Sequence, residues 1–238
     1  MGLDYLLKII GCLLLTFCVG YASAQSEIPV EDSQMEMLSP SRPKPFEKGT
    51  LFLPDGTQSV SEHQYFEQLG WIRGTLIFDG RIFHDVDLAY NIYEDLVLVL
   101  NLKMEVEGVK ALKIDQQKVD GFVLNERSFA RHTKLTDPPI ASGFYEEYFV
   151  GRNLSFYIKH SKAKYIEREG PEYPLQNTMY LLMGGDYFEV QSKKTLLALF
   201  PDYKKEIKQY IKQHARRFRK RNIEGLSMVL SYCDELVK

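Results

Sequence analysis

Between residues 74 and 100 the chain reads GTLIFDGRIFHDVDLAYNIYEDLVLVL, with apolar and polar positions alternating on both sides of Asp79-Gly80. A two-residue type I′ hairpin needs positive φ at both central positions, and Asp-Gly supplies this at small steric cost. The pattern predicts three consecutive antiparallel strands, the second turn falling at Glu94-Asp95. Leu76 and Phe78 alternate with Thr75 and Ile77. Beyond the turn, Ile82, His84, Val86 and Leu88 share one face, and Phe83, Asp85 and Asp87 the other. Residues 96–100 (LVLVL) form a continuous apolar run, the mark of a strand covered on both faces.

The same alternation continues at 50–53, 109–115, 118–124, 128–132, 144–150, 154–160, 178–183 and 187–191. Turn signals separate these runs at Pro54-Asp55-Gly56, Pro138-Pro139, Gly151-Arg152-Asn153 and Gly184-Gly185. Residues 167–175, with Gly170, Pro171 and Pro174, read as a loop. Ser59 and Glu62 have capping-box spacing ahead of Tyr65, Phe66 and Leu69, which predicts a short helix over 59–69. About nine to eleven strands result. After Ser192 the period becomes helical. Residues 195–200 form a brief turn, and 202–217 align Tyr203, Ile207, Tyr210, Ile211 and His214. A last helix, capped by Asn222, aligns Leu226, Val229, Leu230, Cys233, Leu236 and Val237. The fold class expected is α+β and mainly β. Residues 49–191 would form a large antiparallel meandering sheet, as a sandwich or partly open barrel. Two to three C-terminal amphipathic helices (192–238) would pack on the same domain.

Residues 1–24 carry Lys8, an apolar run over 9–19 and Ala22-Ser23-Ala24 before Gln25, the pattern of a signal peptide with its cleavage site. Phe17 before Cys18, and an apolar run lying after Cys12, argue against a lipidation signal. Residues 25–48, with Pro29, Pro40, Pro43 and Pro45 and no apolar period, read as a flexible leader. Beyond the signal segment only Cys233 remains, so no internal disulfide forms there, and an exported chain of this kind fits a periplasmic or outer-membrane-associated setting.

The formal net charge of −2 hides an asymmetry, because residues 192–238 hold eight Lys and four Arg against two Asp and three Glu. The densest basic run is HARRFRKR at 214–221. Its Arg216, Arg217, Arg219 and Arg221 are candidates for an anionic lipid surface, set against a plain solvated junction between helices. His63, His84, His132, His160 and His214 lie on separate elements without metal-ligand spacing, so no metal and no cofactor is expected. No nucleophile elbow, phosphate loop or dinucleotide fingerprint occurs. Glu146 and Glu147 must point to opposite faces of a strand, whereas Asp85 and Asp87 share one. The chain has 15 Tyr and 14 Phe. Tyr145, Tyr148 and Phe156 are candidate residues of a concave apolar ligand site, with core packing as the competing reading.

Gly70-Trp71-Ile72 with Gly74, the Asp79-Gly80 hairpin leading to Val86 and Tyr90-Asn91-Ile92-Tyr93, Val119 with Gly121-Phe122-Val123, and the closing KKTLLALF and KKEIKQYIKQH together resemble a broad set of secreted proteins of Bacteroidota of unknown function. The resemblance covers most of 49–238. It implies export to the periplasm or outer membrane and carries no activity or site residues. The function expected is that of a non-enzymatic cell-envelope protein binding a protein partner or an apolar ligand, with no nucleic-acid partner. One alternative is an envelope-directed hydrolase using Asp85, Asp87 or Glu147 with a histidine. The other is attachment to an anionic surface through the basic run.

Overall fold

Asp79 and Gly80 adopt φ of 53° and 71° and join strand β2 (Ile72–Phe78) to β3 (Arg81–Asn91), the type I′ geometry that matches strand twist. The computed structural model describes residues 44–53, 63–101, 111–133, 140–168, 170–214 and 225–237. The expected signal peptide, residues 25–43 of the leader, the Pro54-Asp55-Gly56 turn, Pro138-Pro139, Arg216, Arg217, Arg219, Arg221 and Asn222 lie outside the described residues.

The remaining strands are β1 (Thr50–Leu51), β4 (Leu96–Leu100), β5 (Ala111–Lys113), β6 (Val119–Leu124), β7 (Arg127–His132), β8 (Gly143–Val150), β9 (Leu154–Lys162), β10 (Tyr165–Glu167), β11 (Gly170–Glu172), β12 (Leu175–Met183) and β13 (Asp186–Glu189). Of the thirteen strands among the described residues, eleven form one antiparallel sheet in the order β1-β5-β4-β3-β2-β6-β7-β8-β9-β12-β13. β10 and β11 pair only with each other. They occupy the segment expected to be a loop, because Ile166 pairs with Pro171 at an edge where the missing N–H of proline is tolerated.

β4 is covered on both faces, as its unbroken apolar run predicts. Val97 and Val99 enter the large inner cluster with Leu76, Phe78, Leu88, Tyr90, Phe122, Leu124, Phe129 and Phe144. Leu96 and Leu98 pack on the other side with Phe52, Tyr65 and Ala89. Phe46, at the end of the expected leader, already belongs to the inner cluster, its ring 5.0 Å edge-on to Phe83.

Two local expectations are corrected. Phe83 is buried and Ile82 half exposed, the reverse of strict alternation. Gly74 pairs with Val86 but Leu76 with Phe83, so β3 holds an extra residue there, and Asp85 takes a φ of 55°. This bulge shifts the strand by one residue and brings Phe83 onto the face of Val86 and Leu88. The helix expected over 59–69 is not formed by its described part. Tyr65 bridges Asn91, the Phe66 N–H donates to the Tyr90 carbonyl, and the Ile92 N–H donates to the Gln64 carbonyl. β2 leaves β3 at Leu88, and residues 64–66 take up the backbone groups it exposes.

That segment stands where the sheet curls on itself. β3 and β9 are five places apart in the sheet order, yet the Lys162 N–H donates to the Ile92 carbonyl at 3.1 Å and Lys159 pairs with Asp95 at 2.7 Å. The inner cluster is therefore enclosed as in a partly open barrel.

Three helices cover the rest of the inner face: α1 (Lys193–Ala198), α2 (Lys204–His214) and α3 (Leu226–Leu236). α1 starts at a reciprocal Ser192–Thr195 capping box. Ile207 and Ile211 of α2, and Val229, Leu230 and Cys233 of α3, pack on Leu154, Phe156, Ile158 and Leu181 of the sheet. Burial pushes the Cys233 thiol up to about 12, which leaves it an inert packing group.

One carboxylate ties this layer to the sheet. Asp234 accepts the backbone N–H groups of Arg152, Asn153 and Leu154 at 2.9, 2.7 and 2.9 Å. A Cβ on Gly151 would lie 2.5 Å from that carboxylate, so the turn needs glycine for close approach. Burial acts to raise the Asp234 carboxyl, but the three donors hold it below the usual carboxylate range. Asp234→Ala is expected to cost about 2 kcal/mol, read as a lower urea midpoint. Because the folded carboxyl titrates below the unfolded one, its contribution is present at neutral pH and is lost as pH falls through the folded value.

Candidate functional site

The three rings expected to line one apolar site are divided between two faces. Phe156 is fully buried on the inner face beneath the helices, and Tyr148 packs at the edge of the same cluster, 6.2 Å from it. Tyr145 lies on the opposite face with Ile140, Tyr157, Tyr180, Leu182 and Tyr187. The reason is strand parity: Glu147 pairs with Tyr157 and Phe149 with Phe156, and a bulge between them shifts the alternation along β8. Phe156 and Tyr148 are core residues, and Tyr145 alone belongs to a candidate site.

On the inner face, where the barrel interior gives way to the helix-covered half, three polar side chains are brought together. Arg127 spans Glu146 with two donors at 2.8 and 2.5 Å, and His160 Nε2 lies 2.7 Å from Glu146 Oε2. His160 Nδ1 meets Asn177 Oδ1 at 2.8 Å, and Arg127 reaches Glu67 at 2.6 Å while its guanidinium lies over the Phe66 ring at 4.7 Å. Burial acts to raise the Glu146 carboxyl, yet its hydrogen bonds to His160 and Arg127 hold it below the usual range. Glu146 and His160 are each about 5 % exposed or less, and every partner is held. This is the chemistry of a satisfied buried network, with Glu146 fixed as an anion.

The acids considered for hydrolysis lie elsewhere. Asp87 pairs with Arg73 at 3.2 Å, Asp85 is exposed at the β3 bulge, and Glu147 is exposed on the outer face. Among the described residues no three His, Cys, Asp or Glu side chains gather to hold a metal ion, and no helix is long and apolar enough to cross a membrane.

The outer face holds the stronger candidate. β7 and β13 are four places apart, yet His132 Nδ1 of β7 lies 2.9 Å from the Tyr187 hydroxyl of β13. The outer face is thereby folded into a trough. His132 contacts Tyr145 and Tyr157 edge-on at 5.1 and 4.6 Å, Tyr145 meets Tyr180 at 5.9 Å, and Tyr157 meets Tyr187 at 5.9 Å. Lys159 lies over the Tyr145 ring at 5.1 Å and donates to the Phe144 carbonyl at 3.0 Å. Glu147 pairs with Tyr157, Tyr157 with Tyr180, and Tyr180 with Glu189, so an acid stands at each end of the central row.

Burial dominates the electrostatics of the trough. It lowers His132, with Lys159 adding to the effect, and lowers Lys159 against the pull of Asp95. It raises the phenols of Tyr145, Tyr157, Tyr180 and Tyr187, so the rings stay neutral hydroxyl donors. Shifted titratable groups gathered in a concavity mark a functional candidate with a physical rationale. Lys159, Tyr180 and Tyr187 were not singled out by sequence reasoning, and His132 entered it only as one of five histidines without metal-ligand spacing. Each is an ordinary strand residue until the sheet curls, although the shared parity of Tyr145 with the tyrosines opposite it could have been read from correct strand pairing. No protein-family model, curated protein or solved structure matches this chain.

Proposed function

We propose that this is a non-enzymatic cell-envelope protein that holds an apolar ligand, or an apolar segment of a protein partner, in the tyrosine trough. The observation that carries this reading is the convergence of Tyr145, Tyr157, Tyr180 and Tyr187, from four strands, around the His132–Tyr187 contact. Tyrosine offers a wide apolar face, a hydroxyl tip and few rotatable bonds, which suits recognition at low entropic cost. Tyr180, Leu182 and Tyr187 are only half buried and supply the surface a bound group would cover. The signal-peptide pattern of residues 1–24 supports the envelope setting.

The test is native mass spectrometry of the full chain, exported in a bacterial host and purified gently, with organic extraction and identification of co-purifying proteins. Tyr180→Ala with Tyr187→Ala is expected to lower occupancy at least roughly tenfold while leaving the circular dichroism unchanged. Tyr180→Phe with Tyr187→Phe should keep most of it. A chain that carries neither ligand nor partner, or one whose occupancy ignores the alanine pair, overturns the reading.

A further inference from the structure

A second surface, independent of the trough, is built on α2. Lys204, Lys208 and Lys212 recur every fourth residue, with Lys205 beside them, and all four are exposed. At about 100° per residue they occupy one flank of the helix. Ile207 and Ile211 face the sheet cluster, Tyr210 stacks on Tyr232 of α3 on the other flank, and Glu206, the one acid of the helix, lies away from the lysine row. None of the ion pairs among the described residues involves these lysines.

This arrangement runs against the interests of the helix. Like charges four residues apart repel along a helix face. Lys204 and Lys205 also stand in the first turn, where the helix dipole favours acids, and Lys193-Lys194 open α1 in the same unfavourable way. Only Lys212, in the last turn, stands where the dipole favours a cation, so the row as a whole suits a negative partner outside the molecule better than it suits the helix.

We infer that the lysine flank of α2 docks on an anionic bilayer surface, its ammonium groups meeting lipid phosphates. A helix flank carrying cations on successive turns can lie against a flat sheet of headgroups, and each lysine near such a surface adds attraction that salt screens. Acidic residues outnumber basic ones before residue 192, so the excess of positive charge belongs to the C-terminal part of the chain.

The test is co-sedimentation of the full chain with phosphatidylcholine vesicles, with and without phosphatidylglycerol, across a salt series. Binding is expected only with phosphatidylglycerol and is expected to fall steeply as salt rises. The variant Lys204→Gln, Lys208→Gln, Lys212→Gln should reduce partitioning roughly a hundredfold, with unchanged circular dichroism and unchanged trough occupancy. Absence of vesicle binding, binding indifferent to salt, or binding unaffected by the triple variant overturns the inference. Capture on heparin without capture by vesicles overturns it too, by pointing to a soluble polyanion.

Discussion

Glu146→Ala is expected to be the most damaging single substitution in the polar interior, lowering stability by about 3–5 kcal/mol. The carboxylate is nearly inaccessible and takes both donors of Arg127 and the Nε2 of His160. Removing it leaves three nitrogens, two of Arg127 and one of His160, without their partner, and the desolvation already incurred by Arg127 is then offset by Glu67 alone. Urea denaturation followed by tyrosine fluorescence and circular dichroism reads the effect as a fall in midpoint at unchanged slope. A companion variant separates burial of charge from loss of one partner. Arg127→Met, Glu146→Leu and His160→Phe together should fold with stability near or above the original, because no charge is then stranded. A single variant as stable as the original would show that water or relaxation replaces the carboxylate. The sign of the pH dependence follows from the lowered Glu146 carboxyl. Its contribution is complete at neutral pH and fades as acid takes the medium below the ordinary glutamate range and through the folded value, so the wild type loses more stability in acid than Glu146→Ala does.

Phe156→Ala is expected to cost about 3–5 kcal/mol and to loosen the helical layer selectively. The ring is fully buried between β9 and the helices, among Leu181, Leu196, Val229 and Leu230. Truncation empties the centre of that cluster, and a closely packed interior relaxes only in part. Hydrogen exchange should quicken in α2 and α3 before it does in β2 and β3, whose contacts lie in the other cluster. The same experiment decides what Phe156 is for. A large loss of stability with trough occupancy unchanged fits a packing residue, whereas a stable protein that had lost its ligand would restore it to a binding role.

Several elements were legible in the residues because their information is local. Asp79-Gly80 and Gly184-Gly185 carry the positive φ that tight hairpins need, and both turn where expected. The apolar run of β4 implied cover on two faces, and the helical period after Ser192 marked the stripes of α2 and α3. Errors arose where a distant partner outweighed local preference. The capping-box spacing of Ser59 and Glu62 argued for a helix, but the backbone at residues 64–66 bonds to β3 instead. Phe83 was assigned to the wrong face because a one-residue bulge at Asp85 is invisible to strict alternation. The hairpin of β10 and β11 was hidden by Pro171, which an edge accepts and a central strand does not, and by Pro174, which lies between β11 and β12.

The candidate site was legible only in fragments. Tyr145 was singled out for its ring, but its grouping with Tyr148 and Phe156 drew rings from both faces of one hairpin, and the fold puts Phe156 under the helices and Tyr145 on the opposite face. His132 and Tyr187 stand 55 residues apart in the chain and four strands apart in the sheet, and the curl that brings them within 2.9 Å has no local signature. The sequence by itself determined the strands, their turns, the helical stripes and the aromatic supply, since these depend on backbone preference and on period. Tertiary structure decided which rings became core and which became a trough, because sheet order, bulges and curl fix what each face meets, and these arise from contacts between segments remote in the chain.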